Sequence, residues 1–583
     1  MYGWCGKIAG INLADHTWRI ETVDPELLKK FIGGRGLAGY YLRKYITLDW
    51  DNPEMPLLLF TGPLVNTASP TSGRMTVMSR SPLTGTIGDS SVGGTFGTEL
   101  KRAGLDGLFI TGKSKSLCGL EITDKTIRIT PAAHLAGRGI TPVNTFLKGR
   151  GAAAVIGPAA ENGVLFSSII FDRHYAAGRN GLGLVFASKN LKYIAVKGSG
   201  KTGVFDPKGL KTAREDVFRL AAASPALFGE FGISRFGTGA LYDLMDARRM
   251  MPTENFRKTR FKNAPFMNAH AFKKRYNPKS IGCRGCHIRC KKVTRNGMNI
   301  PEFETISHFS ALLGNSDIGI VAEANRVCNE MGMDTISAAA TLACFSEISK
   351  KKISSDEIIS LLYDIAKRKG EGIALGKGAS RYAQESGYPD LSMAVKGQEL
   401  PAYDPRGAYG MALAYATSSR GGCHLRAYPI SHEILRKPVA SDRFSFNGKA
   451  GMIKIAEDLN AVIDSLTACK FIFFAVSLEE YAAVYTAVTG IRTTGQALSE
   501  TGERICYNER IMNAANGFSQ KDDDLPARFF KSQGYRDSSI QVEPIKRKDF
   551  LKARSDYYII RKLDQTGKPL PETARALGLE SDL

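Results

Sequence analysis

Short runs of β-branched or alternating apolar residues, bounded by Gly, Pro and Asp, dominate the chain up to about residue 208. Runs of this kind are typical of strands, and they lie at 57–64, 75–79, 107–112, 119–130 and 191–198. Glycine-rich segments at 33–39, 91–97 and 176–183 lie between them and, taken alone, predict tight turns. The pattern therefore predicts a β-rich N-terminal domain over residues 1–208.

Beyond residue 208 the apolar residues recur at helical spacing. Residues 354–370 open with a serine that can cap a helix, keep a helical apolar period, and end with basic residues and a glycine. Ser477 and Glu480 form a capping box at the start of residues 477–490. The sequence thus predicts an α+β fold, in which the β-rich domain is followed by two mainly α-helical domains at 209–400 and 401–583.

Length and composition narrow the class of protein. A chain of 583 residues exceeds the size at which one hydrophobic core keeps growing, so several domains are expected. No apolar run approaches the roughly 20 residues of a membrane-spanning helix, and the N-terminus lacks the charged and apolar regions of a secretory signal. Ten cysteines are too few for a disulfide scaffold. These features predict a cytoplasmic protein without a membrane span.

The stretch IGCRGCHIRCKK, residues 281–292, places three cysteines in the spacing C-x2-C-x3-C. Thiolates in such a spacing can ligate an iron–sulfur cluster, which needs four. A haem motif, C-x-x-C-H, overlaps the stretch, but haem attachment normally belongs to exported proteins, and a zinc ribbon would need a second C-x-x-C pair. Cys469 and Cys423 both compete as the fourth ligand, and spacing alone does not choose between them.

The net charge of +22 is unevenly distributed along the chain. Residues 257–295 contain thirteen Lys and Arg and no Asp or Glu, and they enclose the three cysteines. Nucleic acid is one partner of such a surface, but the run contains no recognisable nucleic-acid-binding module. A positive surface around a metal cluster would instead attract an acidic electron carrier. We therefore expect a small acidic iron–sulfur partner and no nucleic acid.

Two arginines stand in glycine-rich surroundings. Arg179 lies in GRNGLGLVF, which is not a clean dinucleotide-binding motif because Phe186 occupies its last position. Arg74 lies in PTSGRMTV. A guanidinium within an open backbone turn favours a phosphate-binding role for these segments.

Many separated blocks of the chain resemble the tungsten-dependent aldehyde:ferredoxin oxidoreductase family, in one order and nearly from end to end. The first blocks are GGRGLAGYYL, PTSGRMTVMSRSPLTG, GGTFGTELKRAGLDGLFITGKS and AAGRNGLGLVFASKNLKYIAV. The later blocks are GCRGCHIRC, PEFET, MGMDTIS, DPRGAYGMALAYATSSRGGCHLRAY, DSLTACKF and YYIIRKLDQTGKPLPETARALGL. The resemblance implies that a cofactor lies at the interface between the domains.

The resemblance also implies the cofactors and the residues that bind them. The four thiolates of one [4Fe–4S] cluster would be Cys283, Cys286, Cys290 and Cys469. Asp334 and Asp464 would hold the two pterins of a bis-pyranopterin cofactor that contains tungsten or molybdenum. Arg74 would lie between cluster and pterin. Arg179 and the Gly93–Gly94 backbone would approach the pterin phosphates, which Mg2+ bridges in this family.

The implied reaction is the oxidation of aldehydes to carboxylic acids, with electrons leaving through the cluster to a ferredoxin or ferredoxin-like subunit. Glu304 would act as general base and His424 as a hydrogen-bond donor to the developing oxyanion, both facing the metal. Glu302 competes with Glu304, because the spacing from Cys290 depends on a variable segment. An oligomer is also expected.

Two other functions stay open at this point. A relative within the family could reduce acyl-CoA compounds or aromatic rings on the same cofactor, and a nucleic-acid-binding iron–sulfur protein would also explain the basic charge. The chain departs from the family pattern at three places. His287 replaces a proline after the second cysteine, Thr467-Ala468 replaces Gly-Leu before the last cysteine, and Ser91 stands where an asparagine ligand of Mg2+ is expected.

Overall fold

The computed structural model describes residues 1–579, and it confirms the predicted order of a β-rich region followed by helical regions. Two six-stranded sheets account for the strands up to Lys197. Within the described residues, the strands beyond that point form three two-stranded hairpins. The predicted domain boundaries at residues 208 and 400 stay predictions.

The first sheet is mixed and is built from the first six strands of the chain. These are β1 (Lys7–Asn12), β2 (Thr17–Thr22), β3 (Leu57–Phe60), β4 (Met75–Arg80), β5 (Ile87–Val92) and β6 (Gly107–Thr111). Their order is β2-β1-β6-β3-β4-β5, and β1 runs parallel to β6 while the other pairs are antiparallel. All four residues of β3 are buried, which explains why its sequence is an unbroken apolar run.

The second sheet packs against the first through a shared core. Its strands are β7 (Cys118–Thr123), β8 (Ile127–Pro131), β9 (Ala152–Ile156), β10 (Ile169–Phe171), β11 (Tyr175–Ala177) and β12 (Leu191–Lys197), in the order β11-β10-β9-β12-β7-β8. The helices of this region are α1 (Pro25–Phe31), α2 (Gly34–Arg43), α3 (Phe96–Arg102), α4 (Ile140–Phe146), α5 (Pro158–Glu161) and α6 (Leu182–Ser188). Apolar side chains of α3, α6 and both sheets form one hydrophobic cluster.

The remainder of the described chain is mainly helical. Its helices before residue 400 are α7 (Pro207–Ala222), α8 (Pro225–Phe228), α9 (Ile233–Phe236), α10 (Tyr242–Ala247), α11 (Ala264–Met267), α12 (Ala269–Tyr276), α13 (Phe303–Ser307), α14 (Ile318–Met331), α15 (Thr335–Ile348), α16 (Ser355–Lys367), α17 (Gly372–Leu375) and α18 (Ala379–Glu385). The later ones are α19 (Tyr409–Thr417), α20 (Ile430–Glu433), α21 (Lys449–Leu466), α22 (Leu478–Thr489), α23 (Gly495–Ala515), α24 (Arg528–Lys531), α25 (Arg547–Arg561) and α26 (Pro571–Ala576). The hairpins are β13–β14 (Lys279–Ile281, Lys291–Val293), β15–β16 (Ala394–Val395, Gln398–Glu399) and β17–β18 (Tyr535–Arg536, Gln541–Val542). Within residues 1–579, no helix is long and apolar enough to cross a membrane.

Both helices that were predicted from capping signals are present. α16 begins after Ser354, which forms a capping box with Glu357, and α22 begins after Ser477, which forms one with Glu480. In each case the side chain and the backbone exchange hydrogen bonds, so that amide groups with no partner inside the helix are satisfied. α22 ends at Gly490 in the left-handed conformation, as the sequence indicates.

The glycine-rich segment 33–39 differs from the prediction, because most of it forms the start of α2 rather than a turn. A Cβ atom at Gly34 would lie 2.3 Å from the carbonyl oxygen of Asp464, and one at Gly62 would lie 2.5 Å from backbone atoms of Leu466. The glycines therefore let the N-terminal region contact the backbone at the end of α21. This contact brings the sheet region against Asp464.

We expect Gly62→Ala to lower the stability of the protein by about 1–3 kcal/mol, because the added methyl group meets backbone that must shift. Gly451→Ala is the matched control, since Gly451 lies within α21 with no heavy atom within 4 Å of the position of a Cβ. That change should raise stability, by up to about 1 kcal/mol. Thermal unfolding of the two variants checks the pair, and shifts of the same sign would contradict the packing argument.

Candidate functional site

Three of the predicted cluster cysteines lie in the loop between β13 and β14, and Cys469 follows the end of α21. Burial raises the pKa of Cys286 to about 11, and the charges of Cys469 and Cys283 add to the shift. Cys290 shows the same pattern, because its pKa is raised by burial and then by charges that include those of the other three cysteines. The backbone N–H of Cys469 donates to the carbonyl oxygen of Thr71 at 3.0 Å. The fold thus brings all four free thiols into one neighbourhood.

The four thiols are not arranged around a single ion. Among the described residues, no group of three His, Cys, Asp or Glu side chains is close enough to hold one metal ion. In a cubane cluster each cysteine thiolate binds a different iron atom. The four cysteine sulfurs therefore lie farther apart than four sulfurs that bind a single ion.

Cys423, the competing candidate for the fourth ligand, lies among cationic side chains. Its buried Sγ accepts hydrogen bonds from Arg420 Nε at 3.2 Å, from Arg420 Nη2 at 3.0 Å and from the backbone N–H of Leu425 at 3.2 Å. Burial acts to raise the pKa of Cys423, but Arg420, Arg426 and Arg179 outweigh it and lower the pKa. Cys423 therefore belongs to an arginine-rich region and not to the cysteine group.

His287, which completes the apparent haem motif, packs among aromatic side chains. Its ring centroid lies 4.4 Å from that of Phe218 and 5.6 Å from that of Phe228. Neither ring nitrogen has a hydrogen-bond partner among the described residues. The side chain packs as an aromatic ring, and burial lowers its pKa.

Arg74 lies between the cysteines and Asp464. Burial acts against its charge, but Cys469, Cys283 and Asp464 together raise the pKa of Arg74. The guanidinium donates to Ser91, at 3.0 Å from Nε to Oγ and at 2.5 Å from Nη2 to the carbonyl oxygen. Ser91 is therefore occupied by Arg74 in this structure.

The Gly93–Gly94 pair forms a close contact beside the cysteines. A Cβ at Gly93 would lie 2.5 Å from Cys283 Sγ, and one at Gly94 would lie 2.6 Å from Asp172 Oδ2. Gly94 has a φ of +108°, and its carbonyl oxygen accepts from the N–H of Arg284 at 3.3 Å. Only glycine fits this turn, and its backbone contacts the cysteine loop.

The two predicted pterin-binding aspartates each lie beside a buried arginine. Asp464 Oδ2 accepts from Lys470 Nζ at 2.5 Å and lies 3.6 Å from Arg35 Nη1. Asp334 caps α15 by accepting from the N–H of Ser337 at 2.9 Å. Its Oδ2 also lies 3.6 Å from Arg179 Nε.

The two places where these Asp–Arg pairs lie, called corners here, contain buried polar atoms that have no hydrogen-bond partner among the described residues. Among the described residues, no hydrogen-bond partner exists for Arg35 Nη1, for Nε and Nη1 of Arg179, or for Asp464 Oδ1. Buried polar groups are almost always hydrogen-bonded, and guanidinium forks are suited to phosphate. The region therefore fits a polar, anionic cofactor.

Glu304 and His424 form the part of the site that is suited to proton transfer. Glu304 lies in α13, which continues into a π-helical turn at His308–Leu312, a feature often found at functional sites. Its Oε2 accepts from the N–H of Ala402 at 2.8 Å, and its Oε1 lies 3.5 Å from His424 Nε2. Burial raises the pKa of Glu304 to about 8 and, with nearby arginines, lowers that of His424 well below its usual value.

Glu302 has different surroundings from Glu304. Its side chain is 47% exposed and accepts from Lys291 Nζ at 2.5 Å. The charge of Lys291 lowers its pKa. The carboxylate that lies beside His424 is that of Glu304.

Three aromatic side chains around this pair were not predicted from the sequence. His308 Nδ1 lies 2.8 Å from the carbonyl oxygen of Glu304, and the rings of Tyr403 and Tyr428 lie 5.4 Å and 6.1 Å from that of His424. His308 stands four residues after Glu304, a helical spacing that could have indicated it. Tyr428 likewise stands four residues after His424, whereas Tyr403 carries no local signal because it comes from a separate segment of the chain.

Comparison with known proteins gives one consistent result. Residues 8–198 match the family described as aldehyde ferredoxin oxidoreductase, N-terminal domain, and residues 212–579 match aldehyde ferredoxin oxidoreductase, domains 2 and 3. The tungsten-containing aldehyde ferredoxin oxidoreductase of Pyrococcus furiosus is 37% identical, with 99% of each chain covered, and that of Thermococcus kodakarensis is 35% identical with the same coverage. The BamBC active-site complex of benzoyl coenzyme A reductase, solved with 1,5-dienoyl-CoA, has a chain of similar fold. It aligns with a TM-score of 0.85 at 21% identity, over 99% of this chain and 97% of that chain.

We expect the stability difference between Glu304→Gln and the wild type to depend on pH in protein prepared without tungsten or molybdenum. The folded pKa of about 8 lies above the ordinary 4.5. Burial of the protonated carboxyl therefore contributes stability fully below about pH 4.5, and that contribution is lost as the pH rises through about 8. The glutamine variant does not titrate, so it should gain stability relative to the wild type between pH 5 and pH 9.

Urea unfolding at the two pH values measures this difference. Glu302→Gln is the control, because the lowered pKa of Glu302 places its titration below pH 5 and its difference from the wild type should stay constant. A constant difference for Glu304→Gln as well would contradict the raised pKa.

Proposed function

The chain belongs to the aldehyde ferredoxin oxidoreductase family, and on that premise we propose that it oxidises aldehydes to carboxylic acids at a bis-pyranopterin tungsten centre. Electrons would leave through a [4Fe–4S] cluster to a ferredoxin or a ferredoxin-like subunit. The observation that carries this proposal is the buried Glu304 carboxyl 3.5 Å from His424, beside arginine-lined corners with unsatisfied polar atoms.

The pterin cofactor would be held at two corners, each of which combines an aspartate with a buried arginine. Asp334 with Arg179 would bind one pterin, and Asp464 with Arg35 would bind the other. The free guanidinium and carboxylate atoms at these corners support this assignment. Molybdenum would be held by the same residues as tungsten, since the protein groups contact the pterins.

The phosphate groups of the cofactor would lie near Ser91, Gly93 and Gly94. The backbone of Gly93–Gly94 and the Arg179 side chain would approach the pterin phosphates, with Mg2+ between them. Ser91 already accepts from Arg74, so it would have to exchange that hydrogen bond to act as a ligand of Mg2+. A carbonyl oxygen or water is an equally suitable ligand for that ion.

The overall reaction takes an aldehyde and water to a carboxylic acid, two protons and two electrons. The bound metal centre would supply the acceptor for the electron pair. Glu304 would take a proton from water through its free Oε1, and a pKa near 8 allows that carboxyl to gain and lose a proton near neutral pH. His424 stays neutral, so its single N–H would donate a hydrogen bond to the carbonyl oxygen of the substrate.

We predict that the protein contains about four irons and one tungsten or molybdenum per chain, and that Cys286→Ser loses cluster iron. The reason is that Cys286 lies among the other three cluster thiols. Cys118→Ser is the control, because Cys118 lies in the buried core of the second sheet. Metal analysis by mass spectrometry measures both, and equal iron loss in the two variants would refute the ligand assignment.

We predict that Glu304→Gln lowers aldehyde-dependent dye reduction by roughly 10²–10⁴-fold, the usual cost of removing a general base, while tungsten and iron contents stay unchanged. Glu302→Gln should keep its activity, because its side chain faces solvent and Lys291. If Glu302→Gln is the inactive variant, the glutamate assignment is wrong. Full activity in both would remove the carboxylate from the mechanism.

The wild-type protein in the same assay tests the function itself. Oxidised viologen should be reduced when aldehydes are added. Consumption of reduced viologen with acyl-CoA compounds or aromatic rings, and no reaction with aldehydes, would support the alternative of another low-potential reaction on the same cofactor.

A further inference from the structure

A surface pocket of about 540 Å³ opens between α9 and α12, close to the cysteine loop. Its basic lining residues are Arg235, Lys273 and Lys274, its aromatic ones Phe231, Phe236 and His270. Phe231 is 62% exposed, which is unusual for so large an apolar side chain. The pocket therefore combines positive charge with an exposed aromatic ring.

The inner wall of this pocket contacts the backbone of Cys290, the third of the proposed cluster cysteines. Gly237 follows Phe236 directly, and a Cβ at Gly237 would lie 2.7 Å from the carbonyl oxygen of Cys290. Lys292 Nζ donates to the carbonyl oxygens of Ser234 at 2.6 Å and of Arg289 at 3.1 Å. The pocket wall and the cysteine loop are thus in direct contact.

The basic run around the cysteines is mostly available to a partner. Of the thirteen cations in residues 257–295, eleven are exposed. Lys291 is half-buried and paired with Glu302, and Lys292 is buried with its ammonium bonded to backbone. Lys273 and Lys274 of α12 line the pocket together with Arg235, and the wall of this pocket contacts the cysteine loop.

We propose that this pocket is the docking site of a small acidic protein that carries an iron–sulfur cluster and receives the electrons, an inference that rests on the proposed function. The positive rim would steer the acidic carrier to this face. Phe231 would be the anchor, because an exposed aromatic side chain at the centre of an interface commonly contributes much of the binding energy. Glu230 also lines the pocket and would lie at the edge of the contact.

Direct binding tests the docking site without turnover. The oxidised holoenzyme is titrated with an acidic ferredoxin in a calorimeter at low salt, and binding should weaken as the Debye length falls from about 10 Å at 0.1 M to about 3 Å at 1 M salt. The triple variant Arg235→Glu, Lys273→Glu, Lys274→Glu should bind at least about tenfold more weakly. Phe231→Ala should lose about tenfold without a change in salt dependence.

Matched control variants test whether the pocket itself, and not the net charge of the protein, is responsible for the loss of binding. The triple variant Lys113→Glu, Lys115→Glu, Lys125→Glu changes the net charge equally at exposed positions of the second sheet region, and Phe146→Ala removes another exposed phenylalanine. Both should bind ferredoxin as the wild type does. Equal losses in the control and pocket variants, or no loss in either, would overturn the docking site.

The failure of this inference can be told apart from failure of the proposed function. The pocket variants should oxidise aldehydes with a small neutral dye at the wild-type rate, while the KM for ferredoxin rises. A wild-type protein that shows no aldehyde oxidation with the dye would contradict the proposed function, and the binding data would still decide the docking site.

Discussion

A buried network of charges joins the N-terminal sheet region to the C-terminal helices, and the geometry of the site depends on it. Arg35 of α2 donates to Glu509 of α23 at 2.6 and 2.8 Å, and Arg426 donates to Asp89 of β5 at 2.5 and 3.1 Å. Arg426 also lies 3.5 Å from Glu509. Burying such ions is costly, and removing one partner typically costs about 3–5 kcal/mol. The network therefore sets one relative position for these segments.

Arginines in and beside this network line the candidate site. Arg420 lies 3.6 Å from Asp89 and also donates to Cys423, while Arg179 and Arg35 keep guanidinium atoms without hydrogen-bond partners among the described residues. In a low-dielectric interior such an arrangement is stable only when anionic groups complete it. A cofactor with two phosphates would supply these anionic groups. The free energy that is lost when the arginines are buried would then be regained when the cofactor binds.

The Glu304–His424 pair and the cysteine loop both lie near arginines of this region. The side chains of Glu304 and His424 are largely but not fully buried, and desolvation moves both toward their neutral forms at neutral pH. The cysteine loop lies beside Arg74, and its cysteines are partly exposed. Under the proposed function, substrate chemistry would proceed away from bulk water, and a cluster bound by the cysteine loop would be within reach of a partner protein.

Local patterns of the sequence located β3, β4, β6, β12 and the pair β7–β8, the two capped helices and the three closely spaced cysteines, because each depends on neighbouring residues. Only the tertiary structure shows that Cys469 neighbours the cysteine loop while Cys423 lies among arginines, that Glu304 and not Glu302 lies beside His424, and which lysines of the basic run are exposed. It also shows that most of the segment 33–39, which was predicted to be a turn, belongs to α2. The backbone of Asp464 lies so close to this segment that only glycine fits there. The contacts of Cys469 with the cysteine loop, of Glu304 with His424 and of Gly34 with Asp464 join segments more than a hundred residues apart, and no local spacing encodes such contacts.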